Sequence, residues 1–187
     1  MKQQQKKKLQ QSDTIPETNT QSSSSSILSI QRHIGIFKDQ REEIFKLLKE
    51  ICNIRNESTF VTQNKIESAL GSSVDSSRYS MYFCQNLYEL IAKVSKLRDE
   101  LNLSFHACKT EINDLKSESF DSPIDIIAVS DLINDIGKQL SVDLLAIAAI
   151  CNIENDTLDH DNSITLLACF KYHPYLNTVK VNTIMNF

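Results

Sequence analysis

Apolar side chains recur along the first third of the chain at the spacing of an amphipathic helix. Between Ser29 and Asn53 they alternate steps of four and three residues, which is the heptad spacing of helices that pack side by side. Arg41 interrupts this stripe, and further apolar residues beside it widen the face. A wide apolar face suits a bundle better than a two-stranded seam. We therefore predict a bundle helix whose stripe contains Ile30, Ile34, Phe37, Ile44, Leu48 and Ile51.

The clearest heptad pattern follows in the middle of the chain. Neither Gly nor Pro occurs from Ser77 to Asp121, so the sequence predicts one helix there, about 60 Å long at 1.5 Å per residue. Beyond residue 101 the pattern weakens, because Ser104 and Glu111 occupy stripe positions, which indicates that the packing surface changes along the helix. The regular part of the stripe consists of Phe83, Leu87, Leu90, Val94, Leu97 and Leu101.

Between these two helices the sequence predicts a shorter helix and a linker. The shorter helix would run from Ser58 to Leu70 and end at Gly71, a residue that commonly follows the last turn. The run from Gly71 to Ser77 is rich in serine and favours a linker.

A further helix is predicted after the long one. Ser122 is suited to cap it, Pro123 to occupy its first position, and Asp125 to interact with the positive end of its dipole. Apolar residues then follow at helical steps as far as Cys151. Gly137 lies inside this helix and indicates a close helix crossing.

The two ends of the chain lack such patterns. Residues 1–26 are rich in Gln, Lys and Ser and have too few apolar side chains to offset the entropy lost on ordering, so we expect a disordered tail. Residues 152–187 contain short apolar runs that fit a helix or a strand equally well, and they stay unassigned. The predicted organisation is a tail over 1–26, a helical bundle over 27–151 and an unassigned C-terminal segment.

Composition supports an all-α fold. The chain of 187 residues has only three glycines and three prolines, too few for the tight hairpins of an antiparallel sandwich or barrel. The three glycines are also too far apart for a nucleotide-binding glycine fingerprint. We predict an elongated helical bundle that includes a coiled-coil-like hairpin.

Residues with catalytic or metal-binding chemistry are sparse. The four histidines form no i, i+4 pair, and none has a cysteine at a metal-ligand spacing. The five cysteines contain no CxxC, and we interpret them as small apolar residues on helix faces with reduced thiols. We therefore expect no metal, no cofactor and no catalytic residues, and an enzyme with a helical fold is the least favoured alternative.

Charge and hydropathy narrow the possible partners. With 24 acidic and 20 basic residues the chain carries a net charge of −4, so we expect no direct sequence-specific binding to nucleic acid. A lysine cluster at residues 2–8 fits a weak nuclear import signal or a solvated tail. The longest uncharged apolar run, Leu144–Cys151, is eight residues, whereas a membrane span needs about 20. Since the N-terminus also lacks an apolar signal segment, we expect a soluble intracellular protein.

The apolar stripes carry the functional prediction. A helix of this length exposes a continuous stripe that shorter helices of the same chain cannot fully cover. Its burial against another chain and its burial within an intramolecular bundle both satisfy the pattern, and the sequence leaves both open. If a partner covers the stripe, the interface residues are Ile44 and Leu48 from the first helix and Phe83, Leu87, Leu90, Val94, Leu97 and Leu101 from the long helix.

Two segments give the chain a resemblance to a known family. After the Gln-rich leader, RHIGIFKDQREEIFKLLKEI and NLYELIAKVSKLRDELNLSFHACK together resemble subunit 30 of the Mediator complex over residues 30–110. The chain after Pro123 does not share the resemblance. The matching residues are Ile44, Phe45, Leu47, Leu48, Leu97, Arg98 and Cys108.

The resemblance implies a non-enzymatic scaffold subunit of the Mediator head module, located in the nucleus and bound to other helical subunits. It implies no catalytic residues. The alternative is a cytoplasmic coiled-coil adaptor of a tethering, cytoskeletal or kinetochore-type complex, because such adaptors require the same kind of apolar stripe.

Overall fold

The computed structural model describes residues 19–67, 74–117, 126–152, 160–172, 174–176 and 178–185. All regular structure in these residues is helical, so the predicted all-α class is confirmed. The helices are α1 (Asn19–Glu67), α2 (Val74–Ser117), α3 (Ile126–Cys151), α4 (His160–Tyr172) and α5 (Thr178–Met185).

Hydrogen bonds between the helices establish their directions. Along α1 and α2, Ser29 donates to Glu111 (2.7 Å) and Gln40 donates to Glu100 (3.1 Å), so these helices are antiparallel. The guanidinium of Arg55, twelve residues before the end of α1, donates to the Ile150 carbonyl near the end of α3 (2.9 Å).

The same reasoning places the last two helices. Asn56 lies next to His160, where α4 begins, and Gln31 donates to the Ile184 carbonyl in α5 (2.8 Å). The α4–α5 segment therefore runs antiparallel to α1 along most of its length. The result is an up-down-up-down four-helix bundle whose fourth position is shared by α4 and α5.

The core is one continuous cluster along the bundle axis. Each of the first three helices contributes the apolar face that its periodicity predicts, because positions three and four residues apart lie on one side of a helix. The fully buried apolar side chains, at 2% exposure or less, are Ile30, Ile44, Leu48, Ile51, Val94, Leu101, Leu132, Ile133, Ala146, Ile150 and Phe170.

Several predicted boundaries differ from the structure. The first helix does not end at Asn53, and α1 continues without a break to Glu67, so most of the predicted Ser58–Leu70 helix is its last part. The junction, residues 53–58, has no Gly or Pro, and Arg55 and Asn56 make contacts with α3 and α4 that hold it in helical form. Favourable tertiary contacts override a weak local break.

The ends of α1 and α2 also lie outside the predicted limits. Helix α1 begins at Asn19, ten residues before the predicted start. Residues 1–18 of the predicted disordered tail lie outside the described residues. Helix α2 begins at Val74, inside the predicted linker, and is described as far as Ser117. The predicted end of this helix at Asp121 and the capping residues Ser122 and Pro123 lie outside the described residues.

Candidate functional site

The predicted interface stripe lies inside the bundle. Leu87 and Leu97 are half-buried and pack against the core, and the side chain of Phe83 lies outside the described residues. The antiparallel register of α1 and α2 brings the two halves of the stripe to the same levels, so the chain itself closes this seam. The other predicted interface residues are all buried in the core, namely Ile44, Leu48, Leu90, Val94 and Leu101.

A polar layer crosses the middle of this apolar core. It consists of Arg41, Gln139 and Asp143, which are 4%, 0% and 0% exposed. The Arg41 guanidinium forms an ion pair with Asp143: Nε donates to Oδ2, and Nη2 donates to Oδ1 at 2.9 Å. Gln139 also donates to Asp143 Oδ1, at 2.8 Å. A buried carboxylate held by three donors is stable only while its cationic partner stays in place.

The polar layer also binds the backbone where the fourth helix is interrupted. Helix α4 ends at Tyr172, and Pro174 follows, which cannot continue the helical hydrogen bonds. The last carbonyls of a helix lack partners within it. Arg41 Nη2 donates to one of them, the carbonyl of Phe170, and the backbone N–H of Tyr175 donates to Gln139 Oε1 (3.2 Å). The layer therefore fixes the junction between α4 and α5 over the bundle centre.

Sequence reasoning found only one member of this layer. It identified Arg41 as an interruption of an apolar stripe but assigned it no partner. The sequence did contain a signal for Asp143. It lies three residues after Leu140 and four before Ile147, at the helical spacing of the apolar residues, so it shares their buried face. A charge at such a position in each of two helices indicates a buried pair.

Next to the polar layer, an open groove runs between α1 and the α4–α5 segment. We call it the α1–α5 groove; its volume is about 390 Å³. Its edge carries Lys38, Glu42 and Lys171, and Arg41 contributes to its floor. Most of its wall is apolar, formed by Ile34, Phe37, Phe45, Ile136, Phe170, Leu176 and Val181. The sequence did not predict this feature, because residues 152–187 carried no assignable pattern.

The far end of the α1–α2 hairpin extends past the other helices. Helix α3 ends level with Arg55, and α4 begins level with Asn56. Helix α1 then continues to Glu67 and α2 starts at Val74, so both run about 16 Å further at 1.5 Å per residue. We call this part, residues 57–67 of α1 and 74–83 of α2, the hairpin end.

The five cysteines differ in burial, and Cys151 is half-buried. Cys52 and Cys108 are buried in the core, as predicted for small apolar residues, whereas Cys84 and Cys169 are exposed and therefore do not fill the core. Burial raises the pKa of the Cys108 thiol to about 12, and the Glu111 carboxylate acts in the same direction. Burial likewise raises the pKa of Cys151 to about 11. Thiols with raised pKa values are poor nucleophiles at neutral pH.

Within the described ranges, no group of three or more His, Cys, Asp or Glu side chains is placed to hold a metal ion. Among the same residues, no helix combines the length and the apolar character that a membrane span needs.

Comparisons of the chain with protein-family models, with curated proteins and with solved structures find no match.

Proposed function

We propose that this protein is a non-enzymatic structural subunit of a multiprotein assembly and that it binds partner helices at the hairpin end. The observation that supports this proposal is the length of the α1–α2 hairpin relative to α3 and α4. Inside the bundle each helix is covered by two neighbours, whereas among the described residues no third helix lies beside the hairpin end, where α1 and α2 can cover only one face of each other. A partner helix that docks beside the hairpin end would extend the four-helix arrangement.

The sequence of the hairpin end favours such docking. It includes Phe60, Val61 and Ile66 from α1 and Phe83 from α2. Removal of apolar surface from water stabilises a complex by about 25 cal/mol per Å² before the entropic cost of association. Of the eight predicted interface residues, Phe83 belongs to the hairpin end, and the other seven belong to the intramolecular part of the seam.

The assembly that we propose is the transcriptional Mediator complex, and the proposed location is the nucleus. The resemblance of residues 30–110 to Mediator subunit 30 supports this choice. A cytoplasmic adaptor would use the hairpin end in the same physical way, so the identity of the bound proteins has to separate the two proposals.

Affinity capture of the full chain from its native cells tests the proposal when a variant at the hairpin end is compared with a matched control. Phe83→Asp places a charge in the proposed interface, and an unpaired charge is costly to bury. Lys93→Asp changes an exposed residue of the same helix within the bundle. We expect the wild type and Lys93→Asp to capture the RNA polymerase II machinery, and Phe83→Asp to lose it while the purified variant stays folded.

Three results would contradict the proposal. Capture of vesicle or microtubule proteins would favour the adaptor. Loss of folding in purified Phe83→Asp would show that the chain itself buries this position. Equal capture by all three proteins would remove the hairpin end from the interface.

A further inference from the structure

The dimensions of the α1–α5 groove limit what it can hold. Its wall follows α1 from Ile34 to Phe45, which is about 16 Å at 1.5 Å per residue. A volume of about 390 Å³ along that length is the size of a site for one small ligand with an extended apolar part.

The charges at the groove indicate the sign of its ligand. Lys38 and Lys171 are exposed at its edge, and none of the described carboxylates forms an ion pair with either. Glu42 is the one acidic residue of the lining, and the charge of Arg41 is balanced by Asp143. The groove edge is therefore positive on a chain whose net charge is −4.

We propose that the α1–α5 groove binds a free, single-chain amphiphile with an anionic head, such as a long-chain carboxylate. The apolar wall would take the linear tail, and Lys38 and Lys171 would bind the head at the level of the α4–α5 junction. Small-ligand sites typically combine apolar walls with a few polar groups in volumes of about 300–1,000 Å³, and the groove lies at the lower end of that range. This inference does not depend on the proposed assembly function.

The N-terminal segment of the chain is a poorer occupant. Its lysines at positions 2, 6, 7 and 8 give it the same charge sign as the groove edge, so the two would repel. An anionic amphiphile satisfies both the apolar wall and the positive edge.

Calorimetric titration with three probes that share one tail separates the contributions of head and tail. Dodecanoate and dodecyltrimethylammonium would be added to the full-length protein below their micelle concentrations, and dodecanol below its solubility limit. We expect one saturable site, with the carboxylate bound most tightly and the ammonium most weakly. Absence of saturable dodecanoate binding, or equal affinity for all three probes, would overturn the proposal.

A pair of charge-reversed proteins tests the position of the head. The double variant Lys38→Glu, Lys171→Glu should bind dodecanoate about tenfold more weakly, because two charge-assisted contacts become repulsive. The double variant Lys49→Glu, Lys109→Glu carries the same change in net charge at exposed residues away from the groove and should bind like the wild type. Equal weakening in both variants would reduce the effect to net charge and refute the site.

A groove-filling variant tests the position of the tail. Val181→Trp, checked by circular dichroism for retained helix, should abolish binding of all three probes because the indole occupies the space of the tail. Undiminished binding in this variant would place the ligand elsewhere. Binding to anionic phospholipid vesicles without binding to monomeric dodecanoate would show a membrane contact instead. If dodecanoate does not bind, and the wild type sediments as a larger species than Val181→Trp, the groove would be a contact between two copies of this chain.

Discussion

Removal of the carboxylate from the polar layer should destabilise the bundle more than the loss of any surface ion pair. Asp143→Ala leaves the Arg41 guanidinium without its counter-ion at a position that is only 4% exposed, and Gln139 loses an acceptor. A guanidinium group keeps its positive charge at ordinary pH. The variant must therefore bury an unpaired cation or move it to solvent by disrupting the contact with Phe170.

The expected size follows from this burial. Breaking a buried ion pair from one side costs about 3–5 kcal/mol, a large share of the 5–15 kcal/mol that is typical of a domain of this size. The surface pair of Lys46 and Glu43 provides the contrast, because its side chains are 64% and 52% exposed. Solvent screens such pairs, and we expect Glu43→Ala to cost about 0.5 kcal/mol or less.

Replacement of both charges separates pairing from burial. Arg41→Met with Asp143→Leu removes both charges, and such replacements are often neutral or stabilising. Here the Phe170 carbonyl and the Gln139 amide lose partners, at about 1–3 kcal/mol for each buried group left unsatisfied. We therefore expect the double variant to be more stable than Asp143→Ala.

Urea denaturation followed by far-ultraviolet circular dichroism measures these differences as shifts in the free energy of unfolding. The reasoning is refuted if Asp143→Ala costs less than about 1 kcal/mol, since the pair would then be solvated. It is also refuted if the costs of Arg41→Met and Asp143→Leu simply add in the double variant, since coupled residues must deviate from additivity.

Three further predictions concern packing and thiol chemistry. Val94→Asp should lower the unfolding free energy of the isolated chain by several kcal/mol, whereas Lys96→Asp on the same helix should change it by about 0.5 kcal/mol; equal effects in thermal melts would contradict an intramolecular seam. Gly137→Ala should lower the free energy of unfolding more in the wild type than in a Phe105→Ala background, by about 1 kcal/mol or more, because the added Cβ would lie 2.8 Å from the Phe105 ring. The same change in both backgrounds would refute this contact. Because the pKa of Cys108 is raised to about 12, its thiol stays protonated at pH 8 and should resist iodoacetamide in the folded protein, while the exposed Cys84 and Cys169 react. Mass spectrometry of the labelled protein measures this, and modification of Cys108 as early as that of Cys84 and Cys169 would contradict the prediction.

The helical periodicity of the sequence was sufficient to predict the central helices and their buried faces. A stripe at steps of three and four residues is a local property, and it held for the apolar stripe of α1 from Ile30 to Ile51 and for α3 from Val129 to Ile150. Boundaries were less predictable. The residues between Asn53 and Ser58 look like a break in isolation, yet contacts with α3 and α4 carry the helix through them.

The C-terminal part shows the limit of local reasoning most clearly. Residues 160–185 contain two short helices whose apolar runs fit more than one structure by themselves. They become defined when they pack along α1 as the fourth element of the bundle. The α1–α5 groove arises from this packing and leaves no signal in either segment alone.

By itself the sequence determined that the chain is helical, which side of each long helix is apolar, and that Arg41 interrupts one of those sides. It could not determine what covers an apolar face, because the pattern is the same for a partner chain and for another part of the same chain. Only the tertiary structure decided that α1 and α2 close the seam between them. It also decided that Arg41 meets Asp143, a residue 102 positions away. The physical reason is that periodicity is local, whereas burial and charge pairing depend on contacts between residues far apart in the chain.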